Sequence, residues 1–155
     1  MLCLACEADS RLVADDCEMR RDTPSFTVDT LSEMRVRAGG EALLWVIGSD
    51  ALADLPSWYR WQEVLELCNL VVLQRPGHKA HYPPQVRQLI RDRGSLTPPA
   101  DAHGRIFTLR TELLGISASE VRQALGQGLE AGHLLNPQVA AYISQHGLYG
   151  VTREV

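Results

Sequence analysis

The segment ISASEVR, residues 116–122, combines two hydroxyls, a carboxylate and a guanidinium in seven residues that follow an apolar run. Ser117 and Glu120 have the S-x-x-E spacing of a capping box, in which each side chain bonds the other residue's amide. A second interpretation is a phosphate site, because a helix that follows a parallel strand begins with free amides at the ligand crevice. Ser119 can then donate to a phosphate, and Arg122 can fork onto its oxygens.

A second helix start is predicted in DTPSFTVDTL, residues 22–31. Pro24, Ser25 and Thr27 are residues that commonly begin helices, which is a sufficient structural explanation. The functional alternative is an anion site, where amides near Thr27 meet a carboxylate or a phosphate. Two such starts at one edge of a sheet would suit a ligand with two anionic groups.

The segment GSDALADLPSWYRW, residues 48–61, follows the most apolar run in the chain. Gly48 permits a close backbone approach, and Asp50 either accepts hydrogen bonds from ribose hydroxyls or caps the turn. Trp58 lies in a loop, where a large aromatic side chain either covers the core or stacks on a planar ring. Arg75, in QRPG, ends the next apolar run and could face the same crevice.

Histidines and cysteines carry no clear site. The five histidines have no metal-ligand spacing and are assigned no role; they are His78, His81, His103, His133 and His146. Cys3 and Cys6 have half of a zinc spacing without a second half, so free thiols are expected. The common Gly-rich phosphate loops and the G-x-S-x-G nucleophile motif are absent from the sequence.

The elements that must position these residues alternate between strands and helices. Strands are predicted at 12–19, 42–48, 69–74 and 105–111, and the two middle ones are continuous apolar runs that suit burial on both faces. Helices are predicted at 26–37, 58–68 and 85–92, and a last helix is predicted from the cap Asn136 to Gly147. This alternation predicts a parallel α/β sheet with right-handed crossovers. The region 76–104 is predicted to be a solvent-exposed excursion, a segment that leaves the core of the fold.

Length and composition indicate one ordinary globular domain over residues 1–155. Hydrophobic residues make up 45 % and charged residues 22 % of the chain, whose net charge is −4. This balance argues against a partner bound by bulk positive charge, such as nucleic acid or an anionic membrane surface. No apolar run reaches 18 residues, so a cytoplasmic protein without a membrane span is expected.

The motifs together resemble the bacterial nicotinate-nucleotide adenylyltransferases. The resemblance runs along essentially the whole chain, through DTPSFTVDTL, WVIGSDALADLPSWYRW, LVVLQRPG, ISASEVRQAL and LLNPQVAAYISQHGLY in this order. It implies a Rossmann-like, doubly wound parallel sheet of the nucleotidyltransferase type. It also implies transfer of AMP from ATP to nicotinate mononucleotide, with Mg²⁺.

The resemblance assigns roles to the candidate residues. Trp58 would stack on the pyridine ring, and amides around Thr27 would hold the nicotinate carboxylate. Gly48 with Asp50 would meet a nucleotide ribose. Ser117, Ser119 and Arg122 match the family's phosphate-holding I-S-x-[ST]-x-x-R segment. Ser25 and Arg75 are predicted, with Thr27 and Trp58, to bind the substrate.

The sequence departs from the family pattern in two mild ways and one large one. Phe26 stands where Tyr is common, and Ser119 where Thr is frequent. The family's opening G-G-[ST]-F-D-P-x-H-x-G-H loop and its P-P-H-[KR] segment are missing, and "MLCLACEA" resembles the last turns of a helix. We therefore expect a truncated chain that lacks the first βα unit and its catalytic histidines. The alternatives are an inactive remnant, a binding module for nicotinate nucleotides, or a fragment that folds poorly.

Overall fold

The secondary structure consists of seven described helices and four short strands. A computed structural model describes residues 1–74, 81–110, 117–129 and 132–150. The helices are α1 (Leu2–Cys6), α2 (Thr27–Ala38), α3 (Ser49–Ala53), α4 (Val64–Leu67), α5 (Pro84–Arg93), α6 (Ala118–Gly126) and α7 (Pro137–His146). The strands are β1 (Leu44–Gly48), β2 (Asn69–Gln74), β3 (Gly94–Ser95) and β4 (Ile106–Arg110). Short 3₁₀ turns lie at Leu55–Ser57, Trp61–Glu63, Gly132–Leu134 and Leu148–Gly150. No described helix is long and apolar enough to cross a lipid bilayer.

The chain divides into two compact units. One consists of residues 1–16 with 114–155 and contains α1, α6 and α7, of which α1 packs against α7. The other consists of residues 17–113 and contains the sheet with α2, α3, α4 and α5. The single domain that the length suggests over 1–155 stays a prediction.

All four strands of the sheet are parallel. Their order is β1-β2-β4-β3, and the register places Val46 opposite Val71 and Val71 opposite Phe107. The predicted parallel sheet is therefore confirmed, as are three of the four predicted strands, at 42–48, 69–74 and 105–111. The two-residue strand β3 was not predicted, because Gly94–Ser95 is too short to show any alternation.

The core of the second unit lies on one face of the sheet. Ile47 of β1, Leu70 and Val72 of β2, and Ile106 of β4 share this face and are buried. Each of the four helices in the unit contributes buried side chains to the same cluster: Leu31, Leu52, Val64, Leu65 and Val86. These helices thus fix the strand ends, and with them the loops that follow the strands.

The opposite face of β1 is not buried, so the prediction of burial on both faces is wrong for this strand. Leu44 and Val46 keep 45 % and 58 % of their surface exposed. Within the described residues β1 is an edge strand, and helices cover one of its faces only. The prediction is confirmed for β2, whose first four residues are buried.

The strand predicted at 12–19 is wrong. Those residues form irregular backbone and turns, and Val13 and Met19 are 84 % and 87 % exposed. The alternation of apolar residues is too weak to bury a face, since Cys17 is the buried residue among them. Glu18 instead accepts a hydrogen bond from Thr30 of α2, so this part of the chain binds to the side of a helix rather than to a strand. Residues 17–24 are called the strap below.

The predicted helices are confirmed, with one of them shortened. α2, α5 and α7 lie within about two residues of their predicted bounds, a normal uncertainty for helix ends. Asn136 caps α7 by accepting from the amide of Gln138 at 2.9 Å, and Gly147 follows in the left-handed region with φ 61°. The helix predicted at 58–68 shrinks to α4, because a turn with Arg60 at φ 51° precedes the 3₁₀ turn Trp61–Glu63.

Candidate functional site

Gly48 and Asp50 lie where β1 runs into α3. Gly48 ends the strand with extended backbone, and Asp50 is in the first turn of the helix. Among the described residues other than Gly48 and its two chain neighbours, no heavy atom lies within 4 Å of the position that a Cβ on Gly48 would take. The carboxyl end of β1 therefore opens onto space, at the edge of a parallel sheet where ligands generally bind.

Tyr82 is a neighbour of this edge that the sequence did not reveal. It lies just before α5 and packs against the core cluster. Burial raises the pKa of its phenol, and the negative charge of Asp50 raises that pKa further. A phenol is already protonated at neutral pH, and both effects favour that form further, so Tyr82 can donate a hydrogen bond. The signal in the sequence is an aromatic residue directly before two prolines that begin α5. The prediction of a solvated excursion at 76–104 is wrong for this helix, because Val86 is fully buried in the core cluster.

The start of α2 carries no side-chain cap. Phe26 precedes the helix in extended conformation, and the amides of Asp29 and Thr30 both turn back to its carbonyl. A helix start without a capping side chain leaves its first amides available to an anion. Thr27, the first helical residue, is half-buried. The hydroxyl of Ser25 donates to the carbonyl of Glu18 at 3.2 Å and so holds the approaching chain.

A turn that carries Trp58 packs beside this helix start. The Phe26 and Tyr59 rings contact each other with their centroids 4.5 Å apart. Trp58 is half-buried and packs against the core cluster, so it is neither a wholly buried nor a free side chain. The structure thus brings Thr27 and Trp58, two residues predicted from separate motifs, onto adjoining segments of one unit.

Charged and hydroxyl side chains tie the strap before Ser25 to α2. Arg21 donates from Nη1 to Oγ1 of Thr30 at 2.8 Å and from Nε to Glu33 at 2.9 Å. The Thr30 hydroxyl donates in turn to Glu18 at 2.6 Å. Thr30 is buried, and the Arg21 side chain keeps only 13 % of its surface exposed. The sequence reasoning missed this network because it treated the strap as a strand.

The predicted capping box at the start of α6 is confirmed. The amide of Glu120 donates to the Ser117 hydroxyl at 3.1 Å, and the amide of Ser117 donates to the Glu120 carboxylate at 3.1 Å. These bonds lower the pKa of Glu120. Arg122 donates to the Ser119 hydroxyl at 3.4 Å, and both side chains are exposed. The Ser117 hydroxyl is thus committed to the helix, while Ser119 and Arg122 form an exposed pair.

An apolar groove of about 370 Å³ adjoins Arg122 in the same unit. Its walls come from α6 and α7 and include Val121, Leu125, Val139 and Ile143. An arginine at the margin of an apolar groove can face an anionic group while the groove takes an apolar or aromatic one.

The remaining candidates for binding an anion or a metal ion are Arg75 and the histidines. Arg75 and His78 lie outside the described residues. Of the other histidines, His146 contacts the Tyr142 ring at 4.1 Å between centroids, a contact between neighbours on α7. Within the described ranges, no three His, Cys, Asp or Glu side chains come together in a way that could hold a metal ion.

Comparison with known proteins places the chain among nucleotidyltransferases. A family model described as cytidylyltransferase-like matches residues 1–124. A probable nicotinate-nucleotide adenylyltransferase of Pectobacterium atrosepticum is 42 % identical over 151 residues, covering 94 % of this chain and 71 % of that protein. One from Aeromonas hydrophila is 41 % identical over 153 residues, covering 96 % of this chain and 71 % of that protein.

Solved structures show the same fold at low identity. The nicotinic acid mononucleotide adenylyltransferase of Plasmodium falciparum complexed with APC gives a TM-score of 0.59 at 18 % identity, covering 86 % of this chain and 62 % of that one. The same enzyme complexed with NaAD gives a TM-score of 0.57 at 19 % identity and is covered to 60 %. The chain therefore spans less than two thirds of the length of these structures. Their likeness confirms a Rossmann-like fold of the nucleotidyltransferase type.

Proposed function

Because this chain belongs to the cytidylyltransferase-like family and, within it, to the nicotinate-nucleotide adenylyltransferases, we propose that it transfers AMP from ATP to nicotinate mononucleotide. The products are nicotinate adenine dinucleotide and pyrophosphate. A phosphate oxygen of the mononucleotide attacks the α-phosphorus of ATP, and a new P–O bond forms as the bond to pyrophosphate breaks. Protein groups in such a step position the two phosphates and stabilise charge, and none becomes covalently modified.

The observation that carries this proposal is the uncapped start of α2 beside the turn of Trp58. A nicotinate ring needs a flat aromatic partner, and its carboxylate needs hydrogen-bond donors a few ångströms away. Trp58 is proposed as the stacking partner, and the first amides of α2, around Thr27, as the donors. Ser25 contributes by holding the backbone before the helix, since its hydroxyl already donates to Glu18.

Each unit is proposed to offer its own nucleotide contacts, at the carboxyl end of β1 in one unit and at the start of α6 in the other. Asp50 can accept from ribose hydroxyls, and Gly48 leaves room for a ribose to approach the backbone. Ser119 and Arg122 are the proposed phosphate contacts, because a hydroxyl and a guanidinium together supply donors to several phosphate oxygens. Ser117 acts on the phosphates only by capping the helix, and Arg75 is proposed from its motif alone.

Magnesium is proposed to enter as the Mg²⁺ complex of ATP. The described residues contain no group of three side chains that fits a metal ion held by the protein. Phosphate oxygens are ordinary ligands of Mg²⁺, which keeps several of its waters in such complexes.

The direct test is pyrophosphate release from nicotinate mononucleotide and Mg-ATP, measured with this 155-residue chain. Binding of the mononucleotide alone is followed in parallel by calorimetry. Trp58→Ala is expected to raise the KM and the Kd for the mononucleotide about tenfold, since stacking on an aromatic side chain is worth about 1–3 kcal/mol. Arg105→Ala is a matched surface control, because its partner Asp101 lies at the amino ends of the strands.

Each outcome of this test is informative. Pyrophosphate release that depends on both substrates supports the proposal. Binding of the mononucleotide without pyrophosphate release would instead identify a binding module. A chain that neither binds the mononucleotide nor releases pyrophosphate would contradict both the adenylyltransferase and the binding-module hypotheses.

A further inference from the structure

The turn that carries Trp58 contains an arginine in a backbone conformation that favours glycine. Arg60 has φ 51° and ψ 38°, in the left-handed region. The amide of Trp61 donates to the carbonyl of Trp58 at 3.2 Å and closes the turn around it. Residues other than glycine take this conformation uncommonly, and where they do, surrounding contacts usually hold them there.

The contacts that hold Arg60 come from both sides of the turn. Its guanidinium donates from Nε to Oε1 of Glu63 at 2.7 Å, and Nη2 donates to the second oxygen of the same carboxylate. Its Nη1 lies 3.9 Å from Oδ1 of Asp29, in the first turn of α2. One side chain therefore links the segment after Trp58 to the helix start that begins at Thr27.

Aromatic contacts also link the turn after Trp58 to the start of α2. The guanidinium of Arg60 lies over the Tyr59 ring, with its central carbon 5.9 Å from the ring centroid. That ring contacts Phe26, the residue directly before α2. On its other side Trp58 is fixed by its amide, which donates to the carbonyl of Leu55 at 3.0 Å.

We propose that Arg60 is a positioning residue, which sets the spacing between the ring of Trp58 and the first amides of α2. The inference rests on the proposed function, in which Trp58 stacks on the nicotinate ring and the amides bind its carboxylate. Arg60 itself touches no substrate in this proposal. Weakening the Arg60 contacts should weaken mononucleotide binding selectively. The ring and the carboxylate of nicotinate can both bind well only when the Trp58 ring and the first amides of α2 stay at a fixed distance from each other.

The first experiment measures the KM of each substrate separately in Arg60→Lys and Asp29→Asn. Lysine keeps the positive charge but cannot fork onto Glu63 or reach Asp29 at the same time. Both variants are expected to raise the KM for nicotinate mononucleotide about threefold to fivefold, with kcat and the KM for ATP within about twofold. Asp101→Asn breaks a comparable exposed pair with Arg105 and is expected to change none of these constants.

Asp29→Asn separates positioning from simple electrostatics. Removing a negative charge near an anion site should by itself strengthen binding of the mononucleotide. A raised KM in this variant therefore supports positioning, whereas a lowered or unchanged KM would overturn it. Arg60→Gly is the control for backbone strain. Glycine adopts the left-handed conformation readily, so this variant removes the side-chain contacts of Arg60 without straining the turn.

A second experiment needs no substrate. Hydrogen exchange at the Trp61 amide reports whether the turn is held closed in the protein alone. Arg60→Lys and Asp29→Asn are expected to speed this exchange about threefold or more, while Asp101→Asn leaves it unchanged. An unchanged rate in both variants would overturn the role of Arg60 even in an active enzyme. A chain that fails to bind the mononucleotide but shows the faster exchange would contradict the proposed function and retain the positioning contact.

Discussion

Arg35 shows how one side chain can organise several loops at the residue scale. It lies near the end of α2 and donates to four carbonyls, those of Leu67, Gly39, Glu41 and Ala102, at 2.9–3.3 Å. Arg35→Met keeps a similar apolar stem and leaves these carbonyls without their donor. We expect the free energy of unfolding to fall by about 2–3 kcal/mol, because hydrogen bonds to a charged group are among the stronger ones. Urea unfolding measures the change.

The neighbouring Arg37 provides the matched control. Its side chain is 53 % exposed, and its guanidinium lies 3.8 Å from the Glu33 carboxylate on the same helix. Arg37→Met should change the free energy of unfolding by about 0.5 kcal/mol or less. Equal losses in the two variants would show that Arg35 acts through helix propensity or net charge, and its loop contacts would then be unimportant.

Cys68 should make the stability depend on alkaline pH. Burial raises the pKa of its thiol from 9.0 to about 12. The folded protein then keeps a proton that the unfolded chain releases, so the contribution of this group is complete below pH 9 and is lost as pH rises towards 12. The free energy of unfolding should fall by up to about 1.4 kcal/mol per pH unit within this window.

Comparison with Cys68→Ala isolates the thiol from every other group that changes charge at alkaline pH. The substituted protein is expected to start less stable at pH 8 and to lose stability less steeply between pH 9 and 12. Urea unfolding at several pH values gives both curves. Parallel curves would mean that the thiol ionises freely in the folded protein.

At the scale of elements, the start of α6 separates a structural hydroxyl from a proposed functional one. The Ser117 hydroxyl caps the helix, whereas the Ser119 hydroxyl accepts a hydrogen bond from Arg122. Ser117→Ala should lower the free energy of unfolding by about 1 kcal/mol, the usual cost of losing a capping residue. Ser119→Ala should leave stability within about 0.5 kcal/mol and raise the KM for ATP. Urea unfolding and steady-state kinetics distinguish the two.

The opposite pattern would contradict these assignments. If Ser119→Ala changed stability but not the KM for ATP, its hydroxyl would serve the fold of the helix. If Ser117→Ala raised the KM for ATP without loss of stability, the capping serine itself would be the phosphate contact. Thermal melting with and without Mg-ATP provides an independent readout, because a bound ligand stabilises the folded state.

Elements with a strong local pattern were predictable from the sequence. Apolar runs gave β1 and β2, and the sequence of Asn136, Pro137 and Gly147 gave α7 with its caps. The strand at 12–19 failed because its alternation is weak and because Glu18 bonds Thr30 of α2 rather than pairing with another strand. Such contacts leave no periodic signal, so local pattern alone could not have replaced the strand by a strap.

The candidate site was predictable in part for the same reason. Thr27, Trp58 and Asp50 stand in short motifs with a local explanation, and the structure places them near the expected strand and helix ends. Tyr82 and Arg60 were missed because their importance comes from neighbours distant in sequence, Asp50 for the first and Asp29 for the second. Sequence order does not show those distances.

At the scale of the whole molecule, β1 has one face covered by the core cluster and an opposite face that is apolar and accessible. Leu44 and Val46 point away from the core cluster, and Leu109 of β4, 40 % exposed, shares their face. Within the described residues β1 also forms the edge of the sheet. Exposed apolar strands at a sheet edge commonly pair with other chains, so we expect self-association at high protein concentration.

Val46→Lys tests this expectation without disturbing the core. Val46 is 58 % exposed, so a lysine should change the free energy of unfolding by about 0.5 kcal/mol or less and place a charge on the edge strand. The rate of aggregation, followed by light scattering, should fall. Ile47→Lys is the matched control on the same strand, because Ile47 is 8 % exposed and belongs to the core cluster. That substitution should unfold the protein and increase aggregation. Equal light scattering by the wild type and Val46→Lys would show that association proceeds through another surface.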